Sequence, residues 1–201
     1  MLWHDPIVRL LTAFTQRAGL PVTREPRSLF TTVLDQDLLS RRHSGMIPDL
    51  VCELRRAAAG VAGDRPRLTR CLFDVKTVYA GNAFYEAAGR AGERAGAVER
   101  RARAVPASYE AAARQQDRLM LIRRAQEAGE RTADIPDAAA LPPGLCLRRL
   151  REFPPVMGLV FGSYGEASRP VHTLLAVLAR AIAGRESGTA GVARDGGSDG
   201  G

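Results

Sequence analysis

The sequence predicts an α/β fold in which a mixed central sheet, containing a hairpin, is flanked by helices. Three observations carry this. A punctuated amphipathic segment opens the chain at 4–18. Two apolar, β-branched runs, 46–54 and 70–79, are separated by turn-forming residues. A long Ala/Glu/Arg/Gln stretch then leads to a further apolar run at 155–165 and a closing amphipathic segment at 168–183.

The first segment, "HDPIVRLLTAFTQRAGLP", reads as a helix. Asp5 is the expected N-cap and Pro6 the expected first helical residue. Ile7, Leu10, Leu11, Phe14 and Ala18 are the expected apolar face, and Gly19 and Pro21 the stop. "VTREP" (22–26) is a short extended piece; 27–45 is open between loop, irregular strand and short helix. "MIPDLVCEL" and "RCLFDVKTVY" are strands joined across Gly60, Gly63 and Pro66. Pro48 lies near the start of its strand, where a missing N–H is tolerated. From Phe84 to Gly129 the composition favours helix, with an interruption expected at Pro106 that gives two helices or one kinked helix. Residues 131–144 form a proline-containing connection, and "PVMGLVFGSYG" is a buried strand. Ser168 is expected to cap the last helix, whose apolar face is Val171, Leu174, Leu175, Leu178 and Ile182. Residues 1–184 thus form one domain, and the Gly/Ser-rich tail 185–201 is expected to be disordered.

The 201-residue chain carries 29 Lys+Arg against 22 Asp+Glu, a net charge of +7. That balance favours a polyanionic partner, nucleic acid ahead of a membrane surface. A GC-rich coding sequence inflates arginine as well. No apolar stretch approaches the ~18 residues of a membrane span, and Asp5 and Arg9 come too early for a signal peptide. Cys52, Cys71 and Cys146 show neither a CxxC nor a Cys/His spacing. Cys52 and Cys71, in the two strands, read as small buried hydrophobes, and the lack of an oxidised framework predicts a reducing, intracellular compartment.

One position breaks the charge pattern. The chain contains a single lysine, Lys76, and 28 arginines. Lys76 stands within the apolar run "LFDVKTV", two residues after Asp74, so both side chains leave the strand on one face. Opposite charges in such a run are costly to bury without a purpose. Asp49 lies one hairpin away and pairing brings it near Asp74. Two close carboxylates repel unless a cation sits between them. Oxygen ligands with open positions suit Mg²⁺ or Mn²⁺. A compact, movable ammonium beside such an ion can orient an attacking water, a task for which the planar, permanently charged guanidinium is a poor substitute.

Pro48–Asp49 followed by Asp74–Val75–Lys76 resembles the PD-(D/E)XK nuclease superfamily, whose restriction-endonuclease-like αβββαβ core has the element order just derived. The resemblance covers most of residues 4–183. It implies that Asp49 and Asp74 bind the metal, aided by the Val75 carbonyl, and that Lys76 acts on water and phosphate. A looser similarity is to nuclease-like modules of mobile-element and retroelement polyproteins, on "FDVKTVY", "AVERRARAVPASY" and "LVFGSYGEAS". Many members of the superfamily carry an acid on the first helix; helix 7–18 here has none. His4, Glu25 and Glu53 are candidates to complete the site, each with an alternative as a capping or solvated residue. Arg41, Arg42 and His43, and Arg100, Arg101 and Arg103, either contact phosphates or form solvated surfaces, with Glu99 and Arg103 paired in the second case. Tyr109 either stacks on a base or packs.

The leading expectation is a metal-dependent nuclease that hydrolyses phosphodiester bonds, with DNA favoured over RNA. The alternatives are a catalytically weak or inactive nucleic-acid-binding module of a larger protein, and a scaffold whose arginines reflect codon content alone.

Overall fold

The structure is a computed structural model that describes residues 3–33, 46–56, 67–79 and 91–192. Helix α1 (His4–Arg17) leads to strand β1 (Val22–Arg24), β2 (Leu50–Arg56) and β3 (Arg67–Val78). Helices α2 (Ala91–Glu127) and α3 (Leu145–Arg151), strand β4 (Met157–Gly162) and helix α4 (Arg169–Val192) follow. The sheet order is β1-β2-β3-β4. β1–β2 and β2–β3 are antiparallel, and β3–β4 is parallel. The chain is therefore α/β with a four-stranded mixed sheet, as the sequence predicts.

Strand alternation divides the core between the two faces. Leu50, Cys52, Phe73, Val75 and Leu159 pack under Val8 and Leu11 of α1 and Val171, Leu174 and Leu178 of α4. Val51 and Leu72 face the other way, against Val105, Tyr109 and Ala113 of α2 and Leu147 and Leu150 of α3. The three cysteines are free and buried, and burial pushes the Cys52 thiol up to about 11.

Several expectations give way to tertiary context. Helix α1 starts at His4 with Trp3 at the N-cap position, so Asp5 is a first-turn acid and Pro6 lies inside the first turn. Its buried face is Val8, Leu11, Thr15 and Ala18, while Leu10 is 55% exposed and Phe14 is also exposed. Thr15 can be buried because its hydroxyl donates to the Leu11 carbonyl at 2.8 Å. The glycine stop is confirmed: Gly19 has φ +69°, its N–H donates to Gln16 O, and Leu20 N–H donates to Thr15 O. In 27–45, a 3₁₀ turn covers Arg27–Leu29 and the rest from 34 lies outside the described residues. Strand β2 begins at Leu50 rather than Met46, and β3 begins earlier than expected, at Arg67.

Helix α2 runs through Pro106 without a break. Proline there removes the N–H that would bond the Ala102 carbonyl, at a cost of ~3 kcal/mol. Burial of Ala102, Val105 and Tyr109 against the sheet offsets this. The freed Ala102 carbonyl lies against Gly158 of β4, where an added Cβ would meet Ala102 O and Cα at 2.9 Å and Val105 Cγ2 at 2.8 Å. Gly158→Ala is therefore expected to cost about 1–3 kcal/mol by overpacking. Urea unfolding at unchanged m-value checks this, and an equal midpoint would refute the tight α2–β4 contact.

The sequence predicts no helix where α3 forms. Its cap is supplied at long range: Asp117 of α2 accepts from Cys146 N–H at 2.8 Å and Leu147 N–H at 3.2 Å. Gly144 leaves room for this carboxylate, which a Cβ would overlap. Ser168 does not cap α4 with its hydroxyl. It is fully buried and clamps β4 instead, donating to Gly158 O at 3.1 Å and accepting from Val160 N–H at 3.0 Å. Glu99 of α2, which the solvated-surface alternative pairs with Arg103, accepts from the Arg169 N–H at the start of α4. Val171, Leu174 and Leu178 are buried as expected, but Leu175 is exposed. Helix α4 continues to Val192, into the segment read as a disordered tail, and Glu186 bonds Arg17 of α1 at 2.8 Å. Residues 193–201 lie outside the described residues.

Candidate active site

The site forms where β2 stops and β3 continues. Leu50 opposite Phe73 is the last pair of the β2–β3 ladder. Two more steps of that register would set Pro48 against Val75, and proline has no N–H to donate. The ladder ends there, whereas β4 accompanies β3 through Val78. The edge of β3 beyond Phe73 is thus released from β2, and Asp49 turns into it.

Asp49 is held from three sides. Its Oδ2 accepts from Val75 N–H at 2.6 Å and lies 3.2 Å from His4 Nε2. Its carbonyl accepts from Glu25 N–H at 2.9 Å, and Glu25 adopts a left-handed φ of +40° to provide it. An extended residue presents its N–H and C=O on the same strand edge, so the Val75 carbonyl shares this edge with Asp49.

Asp74 comes from the facing strand and is 4% exposed. The Lys76 ammonium lies 3.1 Å from Oδ1 and 2.9 Å from Oδ2, but its hydrogen bond is aligned on Oδ1. Oδ2 is buried without a hydrogen bond. The Tyr109 hydroxyl is 3.0 Å from Asp74 Oδ1 and 3.2 Å from the Ile47 carbonyl. Its single proton serves one acceptor at a time. The Lys76 side chain, 40% exposed, reaches from solvent to the buried carboxylate.

Electrostatics tie the groups together. Burial raises the Asp49 pKa; the Val75 N–H opposes this, the Asp74 charge adds to it, and His4 opposes it. Burial alone would lower the His4 pKa, but the hydrogen bond to Asp5 and the charge and hydrogen bond of Asp49 outweigh it, and the net shift is upward. Nδ1 of His4 lies 3.0 Å from Asp5, so the imidazole bridges two carboxylates. Burial, reinforced by Asp74, drives the Tyr109 phenol far above its ordinary range, which keeps it a neutral donor.

Asp49, Asp74, Val75 and Lys76 are therefore brought to one corner of the sheet. His4 joins them, and Tyr109 packs while bonding Asp74. Glu25 is exposed and lies 3.7 Å from Arg27; Glu53 pairs across the sheet with Arg70 at 3.1 Å. Neither completes the site. Arg100, Arg101 and Arg103 are exposed on α2, and Arg41, Arg42 and His43 lie outside the described residues. Tyr109→Phe is expected to destabilise the protein by about 1–3 kcal/mol, because a buried carboxylate oxygen loses a donor. Thermal melting measures this; an unchanged Tm would show that the hydroxyl only fills space.

Among the described residues no group of three or more His, Cys, Asp or Glu side chains is placed to hold a metal ion. The candidate set is smaller: two adjacent carboxylates and a main-chain carbonyl. Asp74 Oδ2 is buried and accepts no hydrogen bond, although the Lys76 ammonium lies 2.9 Å from it, and an oxygen so placed fits a cation. Such a set matches Mg²⁺ sites in which one or two carboxylates hold the ion and substrate phosphate and water complete the shell. No family model matches the chain, and neither a curated protein nor a solved structure does. No described helix is long and apolar enough to cross a membrane.

Proposed function

We propose that the protein is a metal-dependent nuclease of the PD-(D/E)XK type that hydrolyses phosphodiester bonds in nucleic acid, with DNA the favoured substrate. The observation that carries this reading is the buried Asp74 carboxylate, electrostatically coupled to Asp49, with the chain's only lysine 3.1 Å and 2.9 Å from its two oxygens. The element order α-β-β-β-α-β, with α3 inserted before β4, supports it.

Asp49, Asp74 and the Val75 carbonyl would hold Mg²⁺ or Mn²⁺. When bound, the ion supplies Lewis-acid polarisation of a phosphoryl oxygen and lowers the pKa of a coordinated water. The chain's own residues do the rest. Lys76 orients the attacking water with its ammonium and opposes the negative charge that grows on the phosphate. Tyr109 fixes the rotamer of Asp74, and the Val75 N–H fixes that of Asp49. His4 balances the Asp49 charge at the mouth of the site.

A second reading has its own support. Lys76, Tyr109 and His4 already compensate much of the carboxylate charge. A binding module that has lost catalysis would look similar. Incubation of supercoiled plasmid with Mg²⁺, Mn²⁺ or EDTA separates the two. The nuclease reading expects nicked circles with either metal and none in EDTA. Salt-sensitive DNA binding with no metal-dependent cutting selects the binding module.

A further inference from the structure

At the Val78 end of β3, past the charged corner, is an apolar cavity of about 330 Å³, lined by Trp3, Ile7, Thr77, Val78, Tyr79 and Phe161. Its size lies within the range of small-ligand sites. The two features join through neighbours in the chain: Trp3 precedes His4, and Thr77 follows Lys76. Large exposed aromatics are few among the described residues, namely Trp3, Phe14, Tyr79 and Tyr164. Three of the four gather at this end of the sheet. Trp3 is 65% exposed and Tyr79 lines the same cavity. Tyr164 follows Ser163, whose hydroxyl ties the loop to Val78 O at 2.8 Å. Tyr164 is 65% exposed, and the Arg94 guanidinium stacks over its ring at 4.9 Å.

From this arrangement we infer that the cavity is a stacking pocket for an unpaired nucleobase, and that the substrate is a single-stranded or frayed nucleic-acid segment rather than an intact duplex. The inference rests on the nuclease reading for the position of the phosphate. Thr77 leaves β3 on the face opposite Lys76. A strand with its phosphate at Asp49, Asp74 and Lys76 must turn around the end of β3 to set a base between Trp3 and Tyr79. A paired, stacked base cannot make that turn, whereas an unpaired one can be splayed out and stacked on aromatic rings. The cavity walls are largely apolar and aromatic, with Thr77 and Ser163 as the polar side chains and the Ser163 hydroxyl committed to Val78 O, so the pocket offers little hydrogen-bonding discrimination and takes any base. The net charge of +7 supplies the attraction for the backbone.

The test uses Trp3, the only tryptophan, as its own reporter. Emission is titrated in EDTA with a single-stranded DNA oligonucleotide and with the blunt duplex of the same sequence. The single strand is expected to change Trp3 emission and to bind at least about tenfold more tightly than the duplex. In anisotropy titrations of the labelled strand, Trp3→Ala and Tyr79→Ala are each expected to weaken single-strand binding about tenfold and duplex binding less than about twofold. Both side chains are partly exposed, so the fold should survive. Single-strand affinities for both variants within about twofold of the parent, or unchanged Trp3 emission at saturation, overturn the pocket. So does a Trp3→Ala variant whose only defect is loss of self-association in sedimentation, because the cavity would then seat a second copy. Cleavage with Mn²⁺ is scored separately on the same strands. A protein that cuts but binds independently of Trp3 keeps the nuclease reading and loses the pocket. One that binds through Trp3 but never cuts keeps the pocket and loses the nuclease.

Discussion

Asp74→Asn is expected to reduce metal-dependent plasmid cleavage by about 10³-fold or more, while oligonucleotide affinity in EDTA stays within about twofold. The substitution keeps the shape of the side chain, and its amide oxygen can still accept from the Tyr109 hydroxyl at the position of Asp74 Oδ1. It removes the negative charge and replaces Oδ2, which accepts no hydrogen bond, with an N–H₂ donor, which repels a cation. Metal-assisted stabilisation of a phosphoryl transition state is worth several kcal/mol, and each ~1.4 kcal/mol is tenfold in rate. Lys76 keeps an acceptor in the amide oxygen at the Oδ1 position but loses its countercharge, and its side chain, 40% exposed, can turn to water. The fold is thus spared a stranded buried cation. Single-turnover cleavage with Mg²⁺ and Mn²⁺ reads the rate, and calorimetric titration of Mn²⁺ reads the loss of the site. Equal cutting by the parent and Asp74→Asn would remove the carboxylate pair from any catalytic role.

The parts of the fold legible in the sequence are those whose cause is local. Gly19 stops α1 and Gly129 ends α2 through their own positive φ, as glycines in those contexts should. Alternation along β3 correctly put Asp74 and Lys76 on one face with Phe73 and Val75 on the other. What was missed has its cause elsewhere in the chain. Helix α3 begins at a glycine with no capping side chain; its cap, Asp117, is 27 residues upstream of Gly144 and visible only once α2 has docked. The buried face of α1 was misplaced because Thr15 conceals its hydroxyl on Leu11, so a polar residue occupies a core position that Phe14 would claim on hydropathy. Of the two helices or one kinked helix that Pro106 predicts, α2 is a single continuous helix, its Ala102, Val105 and Tyr109 buried against the sheet around the proline.

The candidate site divides in the same way. Asp49, Asp74 and Lys76 were legible because strand register and one unusual residue type mark them. The role of Tyr109 was not, since a tyrosine on a packed helix face looks the same whether or not its hydroxyl meets a carboxylate 35 residues away. A signal existed in part: Val98, Ala102, Val105, Tyr109 and Ala113 form one buried stripe, which fixes the direction in which the ring points. His4 reaches Asp49 only because the first turn of α1 lies over the place where β2 and β3 part. Nothing in its local sequence distinguishes it from a surface histidine.

The lone lysine makes the sharpest demand on the proposed chemistry. Lys76→Arg is expected to lower cleavage about 10²-fold while stability stays within about 0.5 kcal/mol, the usual scale for a partly exposed position. The Lys76 ammonium hydrogen-bonds Asp74 through Oδ1 and lies 2.9 Å from Oδ2 without a hydrogen bond to it. A guanidinium presents two parallel N–H donors and takes both oxygens of a carboxylate at once. Arginine at this position would satisfy Oδ2 and close the ligand position that the proposed cation needs. It would also replace a movable point charge with a planar group fixed on Asp74, unable to follow water and phosphate through the reaction. Raised Mn²⁺ should recover part of the loss in Lys76→Arg, because the arginine competes with the ion, but none in Lys76→Met, which leaves Oδ2 open and lacks the cation that acts on phosphate. Cleavage rates across a Mn²⁺ series distinguish the two variants. A Lys76→Arg protein that cuts within about threefold of the parent at every metal concentration would show that the charge alone matters, and the single lysine among 28 arginines would then need no catalytic explanation.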